Sequence, residues 1–287
     1  MKKYFSHICI LVAGISWGMI GLFNRQLLAA GFTPAGIVLT RNMGSFLAMT
    51  VLFFLLDRGI FRIRLRHLPF FLGTGVVSVV FFTLLYFSCQ EQCSLAAAAI
   101  LLYTAPAFVM LMSALLFHER ITKRKLLALT LAISGCAFVS GIFSGGLSVT
   151  AGGLLMGIGS AFFYALYSIF ARYALRHYQP LTVTYYTFLC AGLSSLFVES
   201  PGKVLQLLSA DPAMPLTALA LVLVATVLPF VLYTKGLARV ESGKASILAS
   251  VEPVAAAMAG VLAFGEPLSP AVILGLGCVL ASVYILR

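Results

Sequence analysis

The sequence has little charge. Of its 287 residues, 9% are Asp, Glu, Lys or Arg, and only eight of these are acidic. Soluble domains carry about 25% charged and about 45–50% apolar residues, whereas 61% of this chain is apolar. A water-solvated globule cannot hide that much apolar surface, and so apolar a chain is not intrinsically disordered. Cysteine is also scarce, with six residues, which excludes a disulfide scaffold. Cys9, Cys136, Cys190 and Cys278 stand alone in apolar runs, and Cys89 and Cys93 offer two thiols where a metal site needs more ligands. All six read as small buried apolar residues. The four histidines, His7, His67, His118 and His177, fall near the ends of apolar runs. There is no His-Glu-x-x-His pattern, no acidic pair within an apolar run and no Walker loop, and Gly73-Thr74-Gly75 is a fragment of a glycine motif inside an apolar run. The chain therefore reads as a non-enzyme with no metal site and no cofactor.

Long apolar runs are what the sequence does contain. A membrane helix needs about 20 mostly apolar residues, and ten runs meet that need: 5–28, 34–56, 69–89, 94–117, 124–143, 150–174, 180–198, 214–234, 243–264 and 268–286. They are too long, and alternate too little, for membrane β-strands. Lys2 and Lys3 resemble the start of a signal peptide, but no convincing small-x-small cleavage site follows, so an uncleaved first helix is expected. The connection from Glu199 to Pro215 is the longest and has room for a short surface helix.

The formal charge of +11 does not form a nucleic-acid patch; it sits in short clusters between the runs. With the N-terminus inside, 16 of the 19 Lys and Arg residues fall on the cytoplasmic face, from Lys2 and Lys3 through Arg58, Arg120, Arg172 and Lys235 to Arg287. Arg25 and Lys203 lie outside and Arg41 within a span. The positive-inside rule then places both termini in the cytoplasm of a multi-pass inner (plasma) membrane protein.

The chain also repeats itself. An offset of 147 residues pairs Pro106 with Pro253, Tyr86 with Tyr233, Phe117 with Phe264, Glu119 with Glu266, Trp17 with Tyr164 and Arg25 with Arg172. Each half, 1–143 and 144–287, holds five spans, so the second enters the membrane from the opposite side. The expected fold is an all-α integral membrane protein of ten transmembrane helices in two inverted five-helix repeats that together make one transport domain. Inverted repeats are characteristic of secondary transporters.

Several motifs carry a family resemblance. They are Gly14-Ile15-Ser16-Trp17-Gly18, the Arg41 region, and Tyr103-Thr104-Ala105-Pro106 followed by Phe117-His118-Glu119-Arg120. The second half supplies Ala249-Ser250-Val251-Glu252-Pro253 and Phe264-Gly265-Glu266-Pro267. Over nearly its whole length the chain resembles the drug/metabolite transporter superfamily, in its EamA branch. The resemblance implies a central cavity lined mainly by helices 1, 3, 4, 6, 8 and 9. It does not specify a substrate.

Gly14, Trp17, Gly18 and Gly21 share one helical face. That face serves either close packing or a cavity into which Trp17 projects. The matching face of span 6 carries Tyr164, with Tyr167 beside it. Phe82, Tyr86, Tyr103 and Tyr233 add aromatic groups, suited to a solute with apolar and polar parts or, by cation–π attraction, to an amine. Ordinary bundle packing is the alternative for each. Glu252 lies about nine residues into its span, roughly at the bilayer midplane, where an acid costs about 2.5–3.5 kcal/mol. It reads as a substrate or proton-coupling site, or as a structural link beside a kink at Pro253. Arg41 either meets a substrate carboxylate or snorkels outward and pairs structurally. Glu119 and Glu266 are expected to cap helices or form gate contacts.

The function read from these residues is secondary transport, in the export direction, of small polar metabolites such as amino acids, by alternating access. A permease for cationic or quaternary amines in an aromatic cage is the alternative, and a non-transporting membrane protein a more distant one. The expected partners are a small-molecule metabolite, the lipid bilayer and, through Glu252, protons; nucleic acid is excluded, and the chain acts as a monomer or homodimer.

Overall fold

The computed structural model describes residues 2–140, 149–265 and 269–286. The expectations for Glu266 and Arg287 fall outside these residues. Among the described residues the chain is helical with no strand, and an isolated backbone bridge joins Cys93 to Val149.

The helices follow the apolar runs. The first run forms α1 (Lys2–Gly18) and α2 (Ile20–Ala29), and the second α3 (Pro34–Leu56). Two 3-10 turns, Arg58–Phe61 and Leu65–His67, lead into α4 (Leu68–Leu72), a π-helical stretch (Gly73–Phe81) and α5 (Phe82–Gln92). Then come α6 (Leu95–Leu102), α7 (Ala105–Phe117) and α8 (Lys123–Val139). The second half runs through α9 (Ala151–Ala174), α10 (Pro180–Ser195), the short helix α11 (Pro201–Ala210) and α12 (Ala213–Val222). A second π-helical stretch (Leu223–Val227) precedes α13 (Leu228–Leu237), α14 (Ser242–Ala249), α15 (Glu252–Phe264) and α16 (Pro270–Ile285).

Seven stretches are long and apolar enough to cross a membrane: Tyr4–Ala29, Pro34–Leu55, Leu65–Gln92, Leu95–Phe117, Ala151–Ala174, Ala213–Leu237 and Ser242–Phe264. The other three predicted spans form helices of 17 residues (α8) and 16 residues (α10 and α16), which fall short of that length. The outer surface is apolar, with Leu55 76% and Leu262 81% exposed. Such a surface is solvated by lipid, not water, and the protein is a multi-pass membrane protein.

Backbone groups left open at helix ends are costly in lipid, and the sequence closes them locally. Thr33, Ser94, Thr122, Thr150 and Ser269 each accept a hydrogen bond from the backbone N–H three residues on. Thr33 also donates to Glu199, which accepts from the Ser200 N–H as well; the two donors hold this carboxyl below its usual range. Proline occupies the first turn of α3, α7, α10, α15 and α16, where its missing N–H costs little. At the far ends, α7 and α15 stop on left-handed residues 147 positions apart, His118 (φ 56°) and Gly265 (φ 66°).

Packing follows the same spacing. α1 lies against α13, α14 and α15, while α9 lies against α5, α6 and α7. Three further contacts, α3 on α10, α7 on α14 and α8 on α16, join helices of different halves. Where α8 crosses α16, a Cβ on Gly135 would stand 2.8 Å from the Gly275 carbonyl oxygen. Only glycine admits so close a crossing.

Candidate functional site

Two membrane stretches are broken, and both breaks are written in the sequence. α6 and α7 are separated at Tyr103-Thr104, and α14 and α15 at Ser250-Val251. Pro106 and Pro253 lack an N–H and clash with the carbonyl four residues before, so the regular helical bonding is interrupted just ahead of each. A kink is expected at Pro253, and a two-residue interruption with near-helical dihedrals is found just before it, within one membrane-length stretch. Both breaks line one small cavity, of about 30 Å³, bounded by Tyr103, Ala105, Pro106, Tyr164, Tyr233, Ser246, Ser250 and Glu252.

A second cavity of about 30 Å³ adjoins it, bounded by Trp17, Ser78, Phe82, Tyr164, Tyr167, Ser168, Phe230 and Tyr233. Tyr164 and Tyr233 face both and form the wall between them. Each cavity has room for about one water molecule. A metabolite fits only if that wall moves. A larger hollow of about 520 Å³ lies between α1 and α16, lined by exposed Tyr4, Ile8, Leu280 and Tyr284. Its apolar, open lining suits lipid tails, and Glu252 does not border it.

The two cavities differ in chemistry. Around the second, rings pack edge to face: Trp17 on Phe230 at 5.2 Å, Tyr167 on Phe230 at 5.2 Å and Phe82 on Tyr164 at 5.2 Å between centroids. Two of its tyrosine hydroxyls are committed, Tyr167 to Thr234 and Tyr233 to Ser168, each at 2.8 Å. The first cavity holds the charge. Glu252 opens α15, so its carboxylate stands at the positive end of that half-helix's dipole. Among the described residues nothing donates a hydrogen bond to it. Arg41, on α3, is half-buried. Its Nε is buried with no hydrogen-bond partner, and Glu252 and Tyr164 are the groups that act on it electrostatically. Arg41 in turn is the charge that acts on Glu252. Glu252 borders the first cavity and Arg41 lines neither; buried polar groups are nearly always paired, so the unpartnered Arg41 Nε within electrostatic reach of this carboxylate makes the pair a candidate binding site.

The predicted residues thus divide. Trp17, Phe82, Tyr164, Tyr167 and Tyr233 gather at the aromatic cavity; Tyr103 and Glu252 gather at the charged one. Tyr86 lines neither and packs against the cluster of Cys89, Cys93, Ala97 and Ala98, although Glu252 acts on it. On the glycine face, Gly14 and Gly18 are close-packed against α14 and α15, while Gly21 meets nothing within 4 Å. Phe230 escaped the sequence reading, yet it touches Trp17, Tyr167 and Phe188. Its one signal is its place three residues before Tyr233 on α13. Five cysteines are buried, Cys278 is half-buried and all six are free; no metal-ligand cluster occurs among the described residues.

One end of the cavity is latched by polar contacts. Glu119, just past α7, accepts from the Ser242 and Gly243 N–H groups at 2.8 and 3.2 Å and so caps α14. Lys125 pairs with Glu241 at 2.6 Å, and Arg172 donates to the Leu237 and Val240 carbonyls. A helix cap contributes about 0.5–2 kcal/mol, and removing a contact made in one state shifts the population toward others. Glu119→Ala is therefore expected to raise the labelling rate of buried Cys136 by a maleimide about tenfold, read by mass spectrometry. An unchanged rate would show that the α7–α14 junction does not control access.

The sequence profile of the EamA-like transporter family matches residues 4–141 and again 151–287. The chain belongs to this family. Relatives of this EamA-family chain are named as transporters. An uncharacterized transporter of Archaeoglobus fulgidus is 29% identical over 283 residues, covering 98% of this chain and 96% of its own. A probable amino-acid metabolite efflux pump of Salmonella typhimurium is 26% identical over 227 residues, covering 76% of each. A protein of known crystal structure superposes with a TM-score of 0.80 at 18% identity, over 98% of this chain and 95% of its own, which is a likeness of fold. The EamA-family protein is a transporter and not an enzyme.

Proposed function

We propose that the protein is a secondary transporter that exports small zwitterionic metabolites, amino acids foremost, by alternating access around the paired cavities. The observation that carries this reading is Glu252, without a hydrogen-bond partner among the described residues, at a cavity that shares Tyr164 and Tyr233 with the aromatic one, with Arg41 and its unpartnered Nε within electrostatic reach. A zwitterion brings a carboxylate for the guanidinium and an ammonium for the carboxylate, while its side chain meets Trp17, Phe82 and Phe230. The name of the Salmonella relative is consistent with this class. In this reading all ten helical segments cross an inner membrane as two inverted five-helix repeats, with both termini cytoplasmic. The 147-residue recurrence of broken helices, left-handed caps and packing partners supports it. Tyr164 and Tyr233, one from each half, act as the moving wall, and Glu252 carries a proton in the return step.

The aromatic walls also suit a cationic amine, but Arg41 repels one, so the amine reading ranks second. The test is uptake into proteoliposomes of a panel of amino acids and amines, with and without a pH gradient. Uptake of amino acids that a pH gradient accelerates is expected. Uptake confined to quaternary amines, or none of any solute, would overturn the zwitterion reading.

A further inference from the structure

A second hollow, of about 460 Å³, lies away from the transport cavities, between the turn before α4 and the end of α9. Arg62, Arg64, His67, Arg176, His177 and Tyr178 line it, and no carboxylate does. Among the described residues no acidic side chain is bonded to any of these arginines. The hollow is built in advance. The Tyr178 hydroxyl accepts from the Arg64 N–H at 2.9 Å and meets His67 Nδ1 at 2.9 Å. The His67 and His177 rings stack 4.5 Å apart, and the Arg176 guanidinium rests over the Tyr173 ring at 4.9 Å.

The fold does not require this charge. At the positions 147 residues away, Arg62 and Arg64 are replaced by Ser209 and Asp211, and Arg176 and His177 by Ala29 and Ala30. The repeat keeps the helices and drops the basic residues. The chain entering the hollow also alternates arginine with apolar side chains: Phe61, Arg62, Ile63, Arg64, Leu65, Arg66. Its backbone is extended at Arg62 and Arg64. Leu65, between two arginines, is 81% exposed. An exposed leucine flanked by guanidinium groups suits the boundary between acyl chains and headgroups, where apolar and cationic groups are both solvated.

We propose that this hollow binds the phosphate of an anionic phospholipid headgroup, held by Arg62, Arg64 and Arg176, with Leu65 among the acyl chains. Guanidinium groups hold phosphate oxygens through paired N–H bonds, and basic pockets at the ends of membrane helices are suited to such headgroups. The shared chemistry, a phosphate anion, also occurs in soluble phosphate, and the test separates the two sources.

The full chain in detergent micelles is titrated with phosphatidylglycerol or phosphatidylcholine, and bound lipid is counted by native mass spectrometry. Inorganic phosphate is then added as competitor. Phosphatidylglycerol is expected to bind at least about tenfold more tightly. Arg62→Gln and Arg64→Gln should each weaken it about fivefold, while Arg58→Gln should not. Arg58 lies in the same loop but is held over the Phe54 ring, so it reports charge without the hollow. His177→Ala serves if an arginine variant fails to fold. Equal binding of phosphatidylcholine, an Arg58→Gln effect as large as that of Arg62→Gln, or full displacement by inorganic phosphate at lipid-like affinity would each overturn the proposal.

Discussion

Glu252→Gln is expected to reduce transport at least about 100-fold and also to make the protein less stable. The two effects have different origins. Loss of transport follows from losing the carboxylate that receives the substrate ammonium or a proton; hydrogen bonds to a charged group are worth about 1.5–3 kcal/mol each. Loss of stability follows from Arg41. The pair is not in direct contact among the described residues, but each acts on the other. Removing one member of a buried pair costs about 3–5 kcal/mol when they touch, so a smaller loss, read as a lower Tm, is expected for this separated pair. Replacing both is close to neutral. Arg41→Gln combined with Glu252→Gln should therefore recover stability and still fail to transport. Thermal unfolding of the four proteins closes the cycle. Additive destabilisation would show that the two charges do not act as a unit. Unchanged transport and pH profile in Glu252→Gln would end the coupling role.

That pair also marks where the sequence stops being informative. Glu252 is legible because an acid in an apolar run stands out, and its break is legible because Pro253 follows it. Arg41 is equally conspicuous, but helical spacing gives its face without saying whether a long side chain turns inward or snorkels. The direction depends on distant parts of the chain, among them Glu252, more than 200 residues away. The capping role of Glu119 was expected, but its partners at Ser242 and Gly243 were not, since a cap supplied by another helix leaves no local pattern. The π-helical stretches at Gly73–Phe81 and Leu223–Val227 were invisible for a different reason. One extra residue per turn shifts which side chains face inward but leaves composition unchanged, so Ser78 and its place at the aromatic cavity went unread. Phe230 was lost among 23 phenylalanines for want of any polar feature to single it out.

The glycine face of α1 gives the second large effect, because the sequence treats as equivalent three glycines that the structure separates. Gly18→Ala places a Cβ 2.6 Å from the Glu252 carbonyl oxygen and 2.6 Å from the Ala255 Cβ. Neither neighbour is the end of a flexible side chain, so α15 itself must shift, and overpacking of this kind costs about 1–3 kcal/mol. The displaced turn is the one that carries Glu252, so transport is expected to fall at least about tenfold even in protein that remains folded. Gly14→Ala meets Val251 and the Ala249 carbonyl at 2.6 and 2.7 Å and should act on the same break from its α14 side. Gly21→Ala has nothing within 4 Å, and alanine is favoured over glycine in a helix by about 1 kcal/mol, so this variant should be as stable as the parent or more so, with transport retained. Thermal unfolding and proteoliposome uptake of the three variants read both quantities. If Gly18→Ala transported like Gly21→Ala, the position of α15 against α1 would not set the geometry of Glu252, and the cavity would owe its shape to the aromatic wall alone.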